Sequence, residues 1–394
     1  MNMRYKRNIV NQAAKGLEAP QGLLQILIGP RQVGKTTAAL QIKEAWKGKS
    51  CYASADESLP PGPEWILHHW HLARREKGHS TLLILDEVQK VRGWSETVKA
   101  LWDEDKRCQL SCKVLLLGSS SLLIQKGLSE SLSGRFMLHR CNHWSLDEVQ
   151  EAFSLSLEDW LFFGGYPGAI ALREDLPVWK AYVRDSLIET VLNKDIFQMQ
   201  NISKPALFRH LFLLSARYPA EILSYNKMLG QLQDAGNTTT LAHYIPLLSS
   251  AFLVTGLELF KAGDRPKRGS SPKLIIRNSA LVNALANRSF SETRSDPEVW
   301  GRLVENAVGA HLLNRLQDLT TELYYWRKDN AEVDFVIQTP KVTWALEVKS
   351  GRMRAPRGLE KFLALKKNAR PFIIGGSGMP LEDFFLTDPK ELFG

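Results

Sequence analysis

The sequence has few cysteines and no long apolar run, and both absences exclude whole classes of protein. Its four cysteines show no paired spacing, which argues against a disulfide framework and favours a reducing, cytoplasmic location. None of its apolar runs approaches the roughly 20 residues that a membrane-spanning helix needs. The first residues carry basic side chains, but the apolar core of a signal peptide does not follow them. We therefore expect a cytoplasmic protein with no membrane partner.

What the sequence does contain is apolar material for several cores, together with an excess of basic charge. Hydrophobic residues make up 44% of the 394 residues and charged residues 24%, the balance of ordinary soluble proteins. A chain of this length allows two or three domains. The formal net charge is +9, and much of the excess lies in residues 1–50, 261–277 and 352–370. Such clusters favour a polyanionic partner such as DNA, although each of them alone is equally explained as solvated surface.

The pattern of apolar residues divides the chain into three predicted domains. Short apolar strands alternate with helices in residues 1–143, which is typical of a parallel sheet covered on both faces. Residues 144–288 show mainly helical periodicity, and strands mixed with helices return in residues 289–394. The predicted fold class is therefore α/β, with a parallel-sheet domain first, a helical middle domain and a C-terminal α/β domain.

A phosphate-binding loop stands between the first predicted strand, Leu24–Ile28, and the helix that follows. The segment G-P-R-Q-V-G-K-T fits the pattern G-x-x-x-x-G-K-[ST] in the strand-to-helix context that the pattern requires. Its glycines let backbone N–H groups surround phosphate oxygens, while Lys35 supplies a cation to the β- and γ-phosphates and Thr36 offers a hydroxyl to Mg²⁺. The predicted ATP-binding residues are Gly29, Pro30, Arg31, Gln32, Val33, Gly34, Lys35, Thr36 and Thr37.

A second apolar strand ends in two acids that would complete an ATPase site. We expect Asp86 to hold Mg²⁺ together with Thr36, and Glu87 to polarise the attacking water, because phosphoryl transfer depends on positioning and charge neutralisation. An extended segment lies between the two strands, a chain order that suits ATPases with an additional strand and a catalytic glutamate. Ser119 follows a third strand and is expected to contact the γ-phosphate or to hold the lytic water.

Five motifs occur in an order that resembles a known family. They are residues 29–37, 85–91 followed by Trp94, 117–120, 131–136 and 163–167. The chain resembles the prokaryotic AAA+ ATPases in which an N-terminal ATPase module is joined to a winged-helix region and a C-terminal restriction-endonuclease-like domain. The resemblance implies ATP and Mg²⁺ as cofactors and a homo-oligomer, with a hexameric ring favoured, in which Arg135 reaches the γ-phosphate of a neighbouring subunit. Arg140 is the second candidate for that role.

A helix-turn-helix pattern with two further strands lies in the middle of the chain. Helices are predicted at 205–216, 225–233 and 238–249, and wing strands at 252–260 and 273–277 joined by a basic loop. The last helix has few basic residues, which favours contacts to the DNA backbone from the wing. The predicted DNA-binding residues are Thr239, Thr240, His243, Arg265, Lys267, Arg268 and Lys273, with Tyr244 presented by the same helix. The alternative is a helical bundle that links two enzymatic domains.

Acidic residues and a lysine gather in the predicted C-terminal domain. An antiparallel hairpin of residues 332–337 and 344–349 would set Asp334 opposite Glu347, and strand alternation puts Lys349 on the same face as Glu347. Glu305 joins them from the preceding helix. The set matches the D…E-x-K arrangement of restriction-endonuclease-like nucleases, in which carboxylates hold Mg²⁺ and the lysine orients the nucleophile. Cleavage and a DNA clamp without cleavage both remain open.

The preferred interpretation is an ATP-hydrolysing protein that binds and remodels DNA, with branched or junction DNA as the candidate substrate. One alternative is an ATP-gated, metal-dependent DNA nuclease of genome defence. The other is a nucleotide-switched signalling or scaffold ATPase whose ligand is a protein.

Overall fold

The chain divides into two compact units, Met1–Asn142 and His143–Gly394. The computed structural model describes residues 5–56, 59–75, 80–119, 131–196, 202–232, 237–261, 270–316, 320–351 and 357–394. The division lies next to the predicted boundary at residue 143. Among the described residues, no helix combines the length and the apolar character needed to cross a membrane.

The first unit is built around a five-stranded parallel sheet. The strands are β1 (Leu24–Ile28), β2 (Ser50–Ser54), β3 (Thr81–Asp86), β4 (Cys112–Gly118) and β5 (Phe136–Arg140), and the helices are α1 (Asn8–Glu18), α2 (Lys35–Ala45), α3 (Pro63–Arg75) and α4 (Trp94–Arg107). The strand order is β2-β3-β4-β1-β5, and every neighbouring pair is parallel. The prediction of an α/β fold with a parallel sheet is therefore confirmed.

The parallel strands form from short apolar runs that are buried on both faces. Every residue of β1 and β3 is buried, as is expected where helices cover both sides of a sheet. In such sheets, ligands bind at the carboxyl ends of the strands. β1 leads into the phosphate loop, β3 ends at Asp86, and β4, which lies between them, ends at Gly118. The three segments predicted to hold the nucleotide therefore share one edge of the sheet.

The second unit contains a six-stranded mixed sheet and most of the helices. Its strands are β6 (Val254–Leu259), β7 (Lys273–Ile276), β8 (Glu322–Lys328), β9 (Ala331–Gln338), β10 (Thr343–Lys349) and β11 (Ala369–Gly375). Its α-helices are α5 (Leu146–Phe153), α6 (Leu157–Phe163), α7 (Pro167–Ile170), α8 (Leu176–Ala181), α9 (Pro205–Arg217), α10 (Tyr225–Gln231), α11 (Thr238–Ser250), α12 (Ala280–Asn283), α13 (Phe290–Ser295), α14 (Pro297–Arg315), α15 (Arg357–Leu365), α16 (Leu381–Leu386) and α17 (Pro389–Phe393). Two π-helical segments, Tyr182–Ile188 and Val191–Ile196, follow α8.

The sheet of the second unit crosses the predicted boundary at residue 288. Its strand order is β11-β10-β9-β8-β6-β7, so the two strands predicted as a wing are part of the same sheet as the C-terminal strands. β6 pairs with β7 in antiparallel orientation and with β8 in parallel orientation, through Glu258 and Leu259. Residues 143–394 consequently form one compact unit, and the predicted boundary at residue 288 lies inside it.

Three helices precede the β6–β7 hairpin, close to where the sequence predicts them. Ser224 accepts a hydrogen bond from the backbone N–H of Lys227 and caps α10, and Asn237 accepts one from Thr240 and caps α11. Such side chains satisfy N–H groups that the first helical turn leaves without partners. The order of three helices followed by a hairpin is the order that the winged-helix interpretation requires.

Helix α14 covers the edge strand β7 with polar as well as apolar contacts. The Asn306 side chain is fully buried; its Oδ1 accepts from the N–H of Ile276 at 2.8 Å, and its Nδ2 donates to the carbonyl of the same residue at 2.9 Å. An edge strand otherwise presents unpaired backbone groups. The asparagine therefore closes one end of the sheet.

We predict that Asp105→Ala destabilises the first unit. Asp105 is buried and accepts hydrogen bonds from Trp70 at 2.8 Å and Arg74 at 2.7 Å, so its removal leaves the buried Trp70 N–H and the half-buried Arg74 guanidinium each one acceptor short. Breaking a buried ion pair costs about 3 kcal/mol of unfolding free energy, measurable by denaturant titration. The control is Glu104→Ala, which removes a more exposed partner of Arg74 and should cost much less. Equal losses in the two variants would contradict the prediction.

Candidate nucleotide-binding site and carboxylate cluster

The phosphate loop joins β1 to α2 with a backbone that only certain residues can adopt. Gly34 precedes the helix with a φ of 93°, in the left-handed region that glycine occupies without strain. A Cβ at Gly29 would lie 2.0 Å from the carbonyl oxygen of Cys141, so this position accepts glycine alone. The two glycines of the motif are therefore both required by the geometry of the loop.

The ammonium group of Lys35 lies within the loop. Its Nζ donates to the carbonyl oxygens of Gly29 at 3.0 Å and Pro30 at 2.7 Å, and the side chain is buried. Burial lowers the pKa of Lys35, and the nearby acids Glu87 and Asp86 counteract this effect. A cation in this position is oriented toward any phosphate that the loop binds.

Thr36 and Asp86 form the expected pair of oxygen ligands for Mg²⁺. The hydroxyl of Thr36 donates to Asp86 Oδ2 at 2.7 Å, and the Tyr52 hydroxyl donates to the same oxygen at 3.0 Å. Burial, with the neighbouring Asp86 carboxylate, raises the pKa of Tyr52 to about 12, so it stays a donor. Mg²⁺ prefers hard oxygen ligands of this kind, and the residues present therefore fit the ion.

Glu87 is held by two polar side chains beside this pair. Its carboxylate accepts from Gln89 Nε2 at 2.6 Å and from the Ser119 hydroxyl at 2.9 Å, and its own backbone has a φ of 52°. A non-glycine residue with such a φ is uncommon, and backbone strain of this kind clusters at functional sites. The structure thus brings the Ser119 hydroxyl to Glu87, a contact that the sequence analysis, which expected Ser119 at the γ-phosphate or the lytic water, did not include.

Arg7 contacts the phosphate loop, and sequence analysis missed it. Its guanidinium is buried and donates to the carbonyl of Val33 at 3.1 Å, to Cys141 Sγ at 3.2 Å and to the carbonyl of Asn142 at 3.1 Å. The contacts join the segment before α1, the phosphate loop and the chain after β5. No local motif marks Arg7, since its partners are 26 and more residues away.

The predicted intersubunit arginine is paired within its own chain. Arg135 donates to both carboxylate oxygens of Asp103, at 2.9 and 3.3 Å, and stacks at 5.7 Å from the Trp102 ring centroid. The side chain remains partly exposed. Arg140, the second candidate, ends β5 and is partly buried.

The predicted DNA-binding residues fall into three groups. Thr239 and His243 are exposed on α11, and Thr240 donates its hydroxyl to the cap residue Asn237 at 2.8 Å. Tyr244 is buried against Phe208, so the prediction that α11 presents it is wrong. Lys273 is fully buried, because α14 covers the edge strand β7 and the β6–β7 hairpin is part of the C-terminal sheet rather than a free wing. Arg265, Lys267 and Arg268 lie outside the described residues.

The predicted C-terminal cluster assembles around the β9–β10 hairpin. The antiparallel register pairs Leu346 with Phe335, and Asp334 Oδ2 accepts from the backbone N–H of Val348 at 2.7 Å. Lys349 Nζ donates to Glu347 Oε1 at 2.5 Å. Asp334, Glu347 and Lys349 are therefore neighbours, as the hairpin argument expects.

Lys273 and Glu332, which sequence analysis did not include, complete the cluster. Lys273 Nζ lies 2.5 Å from Glu305, 3.1 Å from Glu332 and 3.9 Å from Asp334, and oxygens of these three carboxylates come within 4.8 Å of one another. An Mg²⁺ ion bound by all three would lie about 2 Å from each oxygen, in the space that the ammonium occupies. The residues present at this point do not fit a divalent metal.

Burial and neighbouring charges shift the pKa values of the cluster's side chains. Burial raises the pKa of Glu305 to about 7, against the opposing attraction of Lys273. Burial likewise raises the pKa of Asp334, and burial with the nearby Asp334 charge raises that of Glu347. Burial alone would lower the pKa of Lys273, but the three carboxylates hold it above its ordinary value. The lysine is therefore charged at neutral pH.

Three family models match successive parts of the chain. Residues 22–150 match a model described as an AAA domain, residues 154–292 match a domain of unknown function (DUF8612), and residues 300–382 match another (DUF4143). The first match and the phosphate-loop geometry together support an AAA-type P-loop ATPase domain in the first unit.

Similar proteins occur in distant organisms. The uncharacterized protein Rv2008c of Mycobacterium tuberculosis is 28% identical over 374 residues, covering 93% of this chain and 80% of that protein. The uncharacterized protein MJ1544 of Methanocaldococcus jannaschii is 24% identical, covering 65% of this chain and 58% of that protein.

Among solved structures, the Walker-type ATPase PABY2304 of Pyrococcus abyssi has a TM-score of 0.49 at 13% identity, covering 71% of this chain and 95% of that chain. The RuvB Holliday junction branch migration motor of Thermotoga maritima has a TM-score of 0.34 at 17% identity, and the match covers 68% of this chain and 91% of that chain. At these scores the likenesses carry no inference about what this chain binds.

We predict that Arg7→Met weakens nucleotide binding about tenfold, since a lost hydrogen bond from a charged donor is worth enough free energy for that change. The carbonyl of Val33 would lose the hydrogen bond from Arg7, and the Arg7 bridge between the loop and the Asn142 carbonyl would be broken. Titration with a fluorescent ATP analogue measures the change. Lys6→Met is the matched control, because Lys6 is exposed one position earlier. An unchanged affinity in Arg7→Met would contradict the positioning role.

Proposed function

We propose that this protein binds and hydrolyses ATP and couples the cycle to the engagement of DNA. The observation that carries the first part is the 2.7 Å contact between Thr36 and Asp86, beside the buried Lys35 ammonium. Residues that are far apart in sequence meet there as a hydroxyl, a carboxylate and a cation, the groups that bind an Mg²⁺–triphosphate.

The chain's own residues have separate tasks in this proposal. Lys35 neutralises phosphate charge from within the loop, and Thr36 with Asp86 would hold the Mg²⁺ ion, which supplies further charge neutralisation when bound. Glu87 orients and deprotonates the attacking water, and Ser119 with Gln89 fixes the carboxylate of Glu87 through the contacts described above. Glu87 can take this role because its carboxylate is close enough to the Lys35 ammonium of the phosphate loop to raise the pKa of that lysine against the effect of burial.

The DNA part of the proposal is supported by a basic groove in the second unit. The groove has a volume of about 330 Å³ and is lined by Leu259, Phe260, Lys261, Trp326, Arg327, Lys328, Phe362, Leu365 and Lys366. Four of these residues are basic and none is acidic. The basic groove thus gathers cations that can contact phosphates, the electrostatic feature of nucleic-acid-binding sites, while its aromatic residues are buried beneath them.

The floor of the basic groove is buried and its rim is accessible. Phe260 contacts Phe362 and Trp326 contacts Phe362 through edge-on ring packing, and these residues belong to one buried apolar cluster. Arg327 and Lys328 are exposed at the end of β8, while Lys366 lies 5.9 Å from the Phe260 ring centroid. Phosphate contacts from such a rim give affinity without base specificity.

Assembly into a ring remains part of the proposal. Arg135 directly precedes β5 and has a partly exposed guanidinium. If this guanidinium left Asp103 and contacted the γ-phosphate bound by a neighbouring subunit, it would stimulate hydrolysis. Cleavage of DNA is not included, because Lys273 occupies the centre of the three-carboxylate cluster.

Two substitutions test hydrolysis separately from binding. Lys35→Ala should abolish both, because it removes the buried cation of the loop. Glu87→Gln should retain ATP binding and lower turnover about 100-fold or more, the usual contribution of a general base. Both are measured by phosphate release and by nucleotide titration. Wild-type turnover in Glu87→Gln would remove the assigned role of Glu87.

The double variant Arg327→Gln with Lys328→Gln tests the basic groove. We expect weaker DNA binding and a salt dependence whose slope falls by about 1 for each phosphate contact removed. Fluorescence anisotropy at several salt concentrations measures both quantities. The control is Lys341→Gln, an exposed lysine in the β9–β10 turn. Wild-type DNA affinity in the double variant would exclude the groove, and absence of DNA binding by the wild type would favour a protein ligand instead.

A further inference from the structure

We propose that Lys273 is the resident cation of the C-terminal carboxylate cluster, holding by its ammonium group the place that a divalent metal would take. The inference concerns Lys273, Glu305, Glu332 and Asp334, and it does not depend on the proposed ATPase or DNA-binding function. It predicts that the wild-type cluster binds no divalent metal, and that removal of the lysine creates a metal site.

The position of the ammonium group is the first support. Nζ lies within hydrogen-bond distance of Glu305 and Glu332 and also donates to the backbone carbonyl of Asp334 at 3.2 Å. An ammonium has three donors, and these three acceptors match that number. Each of the three N–H groups of the ammonium therefore has an acceptor within the cluster.

The burial of Lys273 is the second support. Its side chain is completely buried, although lysine is almost never fully buried unless it is paired. A buried cation of this kind needs several anions around it to offset the loss of hydration. Without Lys273, the carboxylates of Glu305, Glu332 and Asp334 would face one another with no cation between them.

The Lys273 ammonium connects three separate elements of the second unit. Lys273 is the first residue of β7, Glu305 lies on α14, and Glu332 and Asp334 lie on β9. In the sheet, β6 and β8 separate β7 from β9. The ammonium group thus ties an edge strand to a helix and to a central strand, which is the stabilising role that a bound metal ion has in other proteins.

Glu347, which lies beside Asp334, offers a carboxylate oxygen whose binding of a metal in the wild type would contradict the proposal. Glu347 Oε2 is a buried oxygen without a hydrogen-bond partner among the described residues, while its other oxygen accepts from Lys349. A metal held by Asp334 and Glu347 would use that oxygen. The wild-type protein therefore has to be tested for metal binding directly.

The experiment measures Mn²⁺ binding to the nucleotide-free full chain, with Asp86→Asn in every variant to remove the metal ligand of the nucleotide site. Free Mn²⁺ is followed by electron paramagnetic resonance, and thermal unfolding is compared with and without millimolar MnCl₂. We expect no Mn²⁺ bound at the cluster when Lys273 is present. Lys273→Met should bind one Mn²⁺ and gain about 5 °C in melting temperature on its addition.

Two further variants keep the test decisive. Lys180→Met is the matched control, since Lys180 donates to the carbonyls of Ala286 and Arg288 and, in the described part of the chain, to no carboxylate; it should show no response to Mn²⁺. If Lys273→Met does not fold, the double variant Lys273→Met with Glu305→Met also removes one of the carboxylates that the lost ammonium neutralised. The expectation that the wild-type cluster binds no Mn²⁺ is tested without either variant.

Two results would overturn the proposal. One is stoichiometric Mn²⁺ binding with Lys273 intact that is lost in Asp334→Asn or Glu347→Gln. The other is a folded Lys273→Met variant that gains no affinity for Mn²⁺.

Discussion

The contact between the Thr36 hydroxyl and the Asp86 carboxylate is the interaction on which the nucleotide site depends. Fifty residues separate the two side chains, and they meet because β1 and β3 end at the same edge of a parallel sheet. The same edge carries the Lys35 ammonium, the Glu87 carboxylate and the Ser119 hydroxyl. Every chemical role that we propose for the first unit follows from the direction and order of these strands, since a strand running the opposite way would separate the acids from the loop.

The first unit could be predicted closely because its determinants are local. The apolar run Leu24–Ile28 is a strand with those bounds, and the second apolar strand, β3, ends at Asp86, the first of the two acids that the sequence analysis places there. Sequence analysis missed Arg7 and the pairing of Arg135 with Asp103, because neither is visible in a local pattern. Long-range side-chain contacts depend on how elements pack, and composition or spacing does not encode that packing.

In the second unit, local rules predicted one part of the carboxylate cluster and misplaced another. Asp334, Glu347 and Lys349 were predicted as neighbours from strand alternation and one hairpin, both of which are local rules. Lys273 was predicted on an exposed wing and is buried, because β6 pairs with β8 and draws the hairpin into the C-terminal sheet. A basic residue in a basic stretch thus became the counter-ion of an acidic cluster. Net charge along the sequence predicts partners at the surface, but it cannot identify a charge that the fold encloses.

The most direct test of the account is the structure of the full chain with Mg²⁺ and a non-hydrolysable ATP analogue. The account predicts Lys35 Nζ in contact with a phosphate oxygen, and an Mg²⁺ ion held by Thr36 with Asp86 nearby. A nucleotide bound at any other place, or a chain that takes up no nucleotide under these conditions, would contradict it.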